Sequence, residues 1–195
     1  MIDLETMGVE PDAVIVAIGA VRFSQQEVTP LNRLVLHGLY VSVDWQHQPG
    51  RHLDGETVKW WLDQQAVNFD LANTILRSGE PRHELPVALT RLRDYIGGCD
   101  CFWSRGANFD LPILRHAYEA NRPGSTIWKH KAERDVRTVL DLVRISETEN
   151  PRKHDPLYDA AVQAYDVQRA YATLRWAFSG AENWGEPQPE ETQAL

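Results

Sequence analysis

The chain has 195 residues, 43% of them apolar and 25% charged, which suits one globular domain with a full core and excludes a fibrous repeat or thorough disorder. The formal net charge is −8, from 28 acidic and 20 basic residues. That argues against a protein held on DNA by a broad basic surface, but not against a nuclease, because carboxylates that gather divalent cations add negative charge.

The start, Met1 to Glu5, has neither a basic end nor an apolar stretch, so no signal peptide is expected. No run approaches the ~20 apolar residues of a membrane helix, so no membrane partner is expected. Cys99 and Cys101 are the two cysteines. A disulfide across so short a loop would be strained, and two cysteines do not make a zinc site by themselves. A reducing cytoplasm is the expected location.

In chain order, Met1 to Leu4 reads as a first strand and Ala13 to Phe23 as a second. Leu31 to Asp44, loosely alternating after Pro30, reads as a third. From Gly55 the period changes. Val58, Trp61 and Leu62, then Phe69, Leu71, Ile75 and Leu76, suit two short helices. Leu85, Leu89, Leu92, Tyr95 and Ile96 mark another, ended by Gly97 and Gly98. Cys99 to Ser104 reads as a short strand, and Phe109 to Ala120 and Val136 to Val143 as helices. The last helix carries a stripe of Leu157, Ala160, Ala164, Val167, Tyr171, Leu174 and Phe178. Residues 1–179 form one domain on this reading, and the acidic, proline-bearing residues 180–195 a flexible tail. Early strands followed by mixed helices and strands imply an α/β fold with a mixed sheet.

Three segments carry chemistry. Asp3 and Glu5, two apart on a strand, share one face, while Leu4 points the other way. Two such carboxylates cost energy when buried unless a cation lies between them; alone, the pair also fits a solvated strand end. Asp110 lies in Asn108-Phe109-Asp110-Leu111-Pro112. Since Pro112 is tolerated in a first helical turn, Asp110 sits at a helix start, where it also fits an N-cap. In His154-Asp155-Pro156-Leu157-Tyr158-Asp159, Asp155 and Pro156 open a helix. Asp159 then lies one turn inside it and His154 on the loop before, where a lone histidine is often merely exposed.

Taken in order, Asp-x-Glu-Thr-x-Gly, Asn-Phe-Asp and His-x₄-Asp resemble the DEDD superfamily of 3′–5′ exonucleases, in the subclass with a histidine five residues before the last aspartate. The run MIDLETMG followed by IVAIGAV looks closer still to phage and prophage exonucleases filed as exodeoxyribonuclease VIII, and is similar to the RNase AS exoribonucleases. The resemblance covers about residues 1 to 178. It implies an RNase H-like, DnaQ-like fold with a mixed five-stranded sheet flanked by helices. It also implies that Asp3, Glu5, Asp110 and Asp159 hold two Mg²⁺ or Mn²⁺ ions and that His154 is the general base. Pro156 stands where relatives often have alanine.

On that basis the expected activity is removal of nucleoside monophosphates from the 3′ end of single-stranded DNA or RNA. Met7 suits packing on a base, or a turn half in the core. Trp60 suits base stacking and Trp61 and Trp103 the core. Thr6, Gly8 and Asn108 adjoin the motifs and join Met7 and Trp60 as substrate-binding candidates. Arg105 and Arg152 flank the motifs, within reach of a phosphate. A catalytically inactive nucleic-acid-binding module of the same fold is the alternative reading. A homodimer and the choice between DNA and RNA stay open.

Overall fold

The computed structural model describes residues 1–67, 82–106, 108–122 and 127–179. β1 (Ile2–Thr6) pairs antiparallel with β2 (Ile15–Ala20), and β2 pairs antiparallel with β3 (Leu39–Ser42). The first strand is longer than expected and runs through both of its carboxylates. In the β1–β2 register Asp3 faces Gly19 and Glu5 faces Ala17, with an irregularity between Glu5 and Thr6. A separate parallel pair joins β4 (Phe102–Ser104) to β5 (Glu133–Asp135), and β4 runs beside β1. Five strands are thus described, hydrogen-bonded as three and two rather than as one ladder.

Leu31 to Asp44 is not a single strand. α1 (Leu31–Leu36) comes first, and β3 follows it. The Pro30 carbonyl accepts the N–H groups of Arg33 and Leu34 at 2.9 and 3.2 Å. Leu31, Leu34 and Val35, at helical spacing, then turn into the core while Leu36 is left exposed. The leucines that mimic alternation are one side of a short helix.

α2 spans Gly55–Val67, α3 Leu85–Ile96, α4 Asp110–Asn121, α5 Val136–Val143 and α6 Pro156–Ser179. The helix expected over Phe69 to Leu76 and the expected acidic tail lie outside the described residues. α3 and α4 cover one face of the sheet, where Ile2, Leu4, Ile18 and Val41 pack with Leu89, Leu92, Leu111 and Leu114. α6, supported by α1 and α5, covers the other with Ala160, Ala164 and Val167. Its stripe leaves the core toward the C-terminal end, where Phe178 is exposed.

Gly19 sets how close α6 lies. A Cβ there would stand 2.0 Å from the Pro156 carbonyl carbon and oxygen and 2.4 Å from the Leu157 nitrogen. The bare backbone of β2 thereby admits the first turn of α6 to the face that carries Asp3 and Glu5. Among the described residues, no helix is long and apolar enough to cross a membrane.

Candidate active site

Period two puts Asp3 and Glu5 on the α6 side of β1, while Leu4 packs into the opposite core. The first turn of α6 brings Asp159 to them. Ligand oxygens of Asp3, Glu5 and Asp159 all lie within 4.8 Å of one another. Asp110 opens α4, but it does not cap the helix. Its buried carboxylate reaches across to β1 and accepts the Leu4 N–H at 2.9 Å. All four carboxylates line one cleft of about 640 Å³, together with Thr6, Gly8, Trp60, Arg105 and His154.

The cleft gathers negative charge out of water. Burial, then the charges of Asp110 and Asp159, push the Asp3 carboxyl well above its ordinary range. Burial, then Asp3 and Asp159, do the same to Glu5. Burial raises Asp110 to about 7 against the opposing pull of the Leu4 N–H, and raises Asp159 to about 6. Like carboxylates held this close repel unless a proton or a cation compensates them. The donors are hard oxygens with room beside them, the chemistry that suits Mg²⁺ or Mn²⁺.

His154 sits on the loop before α6 with a left-handed backbone, φ 69°. Its N–H donates to Asp159 Oδ2 at 2.7 Å, and its Nδ1 lies 3.9 Å from Glu5 Oε1. The ring stands edge-on to Trp60, with centroids 4.8 Å apart, and lies 6.3 Å from Trp61. Burial, with help from Lys153, lowers the pKa of the imidazole. Asp155 caps α6 as expected, accepting the Tyr158 N–H at 3.1 Å.

The tryptophan pair divides as the sequence implies. Trp61 is buried and donates its Nε1–H to the Thr6 carbonyl at 2.9 Å, whereas Trp60 is 38% exposed at the cleft wall. Trp103 lies in the core. Thr6 and Gly8 line the cleft, and the Thr6 hydroxyl donates to the Gly8 carbonyl at 2.6 Å. Two substrate candidates lie elsewhere. Met7 is buried with Val14, Val16 and Trp61, because the chain turn after Glu5 rotates its side chain into that cluster. Asn108 is exposed on the approach to α4 and does not line the cleft. Arg105 lines the cleft and is paired with Glu147 at 2.5 Å. Arg152 pairs with Asp155 and lies over the Tyr158 ring.

Sequence reasoning missed two amides. Gln163, one turn past Asp159, donates to Asp3 Oδ1 at 2.8 Å; its i+4 spacing was the available signal. Asn150 donates to Asp159 Oδ1 at 2.6 Å. No spacing rule points to it, because it acts from a loop.

Neither the curated proteins nor the solved structures yield a significant match. The profile of the 3'-5' exoribonuclease Rv2179c-like domain matches residues 1–171. With nearly the whole described chain inside that match, and its carboxylates meeting in one cleft, the protein belongs to the Rv2179c-like 3'-5' exoribonuclease domain family.

Proposed function

We propose that the chain is a metal-dependent 3′–5′ exonuclease that releases nucleoside monophosphates from the 3′ end of a single strand. The family description favours RNA over DNA. The observation that carries this reading is the meeting of Asp3, Glu5 and Asp159 oxygens within 4.8 Å, beside His154, in an open cleft.

Asp3, Glu5, Asp110 and Asp159 would hold two divalent ions, Mg²⁺ or Mn²⁺. Such ions would supply positive charge against the scissile phosphate and lower the pKa of water, so that it gives up a proton and attacks as hydroxide. His154 takes the proton of the attacking water on a ring nitrogen. Its lowered pKa keeps the ring neutral, as a base must be. Trp60 offers an indole to the terminal base at the cleft wall. Thr6 and Gly8 border the space where the terminal sugar would lie. A strand end enters without unpairing, whereas a duplex end must fray first.

The test is digestion of single-stranded RNA and DNA of matched sequence, 5′-end-labelled when linear and internally labelled when circular, with Mg²⁺, Mn²⁺ or excess EDTA. A ladder shortening one nucleotide at a time from the 3′ end, abolished by EDTA and absent on circles, is the expected result. Rapid cleavage of circles, or full activity in EDTA, overturns the reading.

A further inference from the structure

Asn150 uses both ends of its amide. Its Nδ2 donates to Asp159 Oδ1 at 2.6 Å, and its Oδ1 accepts the Arg152 N–H at 2.8 Å. From the other side, the His154 N–H donates to Asp159 Oδ2 at 2.7 Å. The Asp159 carboxylate thus closes a ring of bonds through the Asn150 side chain and the backbone of residues 150–154.

That ring encloses a strained residue. His154 has φ 69°, a region that residues other than glycine seldom occupy without outside constraint. The start of the loop is anchored independently, where Thr148 donates its N–H and hydroxyl to Asp166 at 2.9 and 2.6 Å. The end is anchored by the first turn of α6. Between these anchors, the two bonds of Asn150 span the stretch leading to His154. Aspartate there could not donate to Asp159 and would add a like charge. Alanine would leave Asp159 Oδ1 and the Arg152 N–H without these partners.

We infer that Asn150 is a positioning residue, which seats the His154 imidazole against Trp60 and Trp61 by bracing the loop on Asp159. The inference rests on the nuclease reading of the cleft, in which His154 takes the proton. One carboxylate then serves both as a cation ligand and as the mount for the base, so the two are placed relative to each other by the same bonds.

The test reads the His154 ring directly, in the full chain, without cation or substrate. Indole ring currents shift the carbon-bound protons of a ring seated 4.8 Å from Trp60. An exposed histidine such as His47, 78% exposed, is free of that shift. With ring-¹³C-labelled histidine, the His154 signal is assigned by its loss in His154→Ala. Asn150→Ala should move that signal at least about halfway toward the His47 value. It should lower kcat by roughly 10- to 100-fold, as removing a supporting partner typically does, with KM nearly unchanged. Added to His154→Ala, it should cost less than about twofold more, because its effect runs through the imidazole. Asn150→Ser, too short to reach Asp159 but able to accept from Arg152, gives the same reading if the alanine variant does not fold.

An unmoved His154 signal in either folded variant overturns the inference. So does a full further loss in the His154→Ala background, and so does unfolding of both variants. Absence of nuclease activity with every cation would overturn the reading of the site, while the ring signal would still report whether Asn150 seats His154.

Discussion

His154 is held by its backbone and framed by its ring: the N–H is bonded to Asp159, and the imidazole is edge-on to Trp60. Burial of the ring disfavours its charged form, so the pKa falls and the neutral imidazole persists to lower pH than for an ordinary histidine. His154→Ala should reduce kcat by roughly 10²-fold or more while leaving Mn²⁺ affinity almost intact. Single-turnover digestion and titration calorimetry check the two halves of that statement. The acidic limb of the wild-type pH–rate profile should lie below the usual histidine range, and its removal in the variant would tie the limb to this ring. Met7 teaches the opposite lesson. Its place next to the carboxylates is equally prominent in the sequence, but a single chain turn sends its side chain into the core with Val14 and Val16. Adjacency along the chain says which residues are near the site, and the turn geometry decides which of them face it.

At the scale of elements, the site depends on how near α6 comes to β2. Gly19→Ala would drive a Cβ into the backbone of Pro156 and Leu157, which cannot rotate away. The expected cost is about 1–3 kcal/mol, or a melting temperature lower by roughly 2–12 °C, together with weakened cation binding as Asp159 is pushed from Asp3. Gly38→Ala is the control. Its closest neighbour would be the Cδ1 of Leu157, the end of a flexible side chain, so its cost should be smaller. Thermal melting of both variants compares them; equal losses would remove the special role of Gly19. The elements differ in how openly the sequence declares them. The helices with clear periods, Leu85–Ile96, Asp110–Asn121, Val136–Val143 and Pro156–Ser179, stand close to where their apolar spacing puts them. Leu31–Leu36 was hidden because six residues hold too few turns to separate a helical period from alternation. Glu133–Asp135 was hidden because three residues with charged side chains give no apolar pattern; parallel pairing with Phe102–Ser104 makes the strand. Asp3, Glu5, Asp110, His154 and Asp159 were legible as ordered segments. Asn150 was not, since it acts from a loop with no spacing rule, and Gln163 showed only as the i+4 neighbour of Asp159.

For the molecule as a whole, the cleft stores electrostatic strain that protons relieve and that cations would relieve on the proposed reading. The folded pKa is about 7 for Asp110 and about 6 for Asp159, and it is raised for Asp3 and Glu5 as well. In the unfolded chain such groups titrate near 4. Between roughly pH 4 and pH 7 these four carboxyls therefore bind more protons in the folded chain than in the unfolded one, and their contribution to stability falls as pH rises through that window, against a smaller opposite contribution from the lowered pKa of His154. The cation-free protein should melt at a lower temperature at pH 8 than at pH 5. Saturating Mn²⁺ or Mg²⁺ should raise the pH 8 value most, because there the cation replaces the missing protons. Thermal melts across that range, with EDTA and with cation, test the point. A cation-free protein that grows more stable from pH 5 to pH 8 would contradict this account of the cleft.

The carboxylates also belong to opposite times in the life of the chain. Asp3 and the Gln163 that holds it are separated by 160 positions, and Asp159 arrives only with α6. During synthesis Asp3 and Glu5 leave the ribosome early, without the partner that completes their oxygen cluster. On the proposed nuclease reading, a chain that has not reached Pro156 lacks the Asp159 oxygens and should not cleave a phosphodiester. The oxygen cluster is completed only when α6 docks on β1 and β2. A fragment ending at residue 150 should release no nucleotides under conditions in which the full chain is active, even at high Mn²⁺.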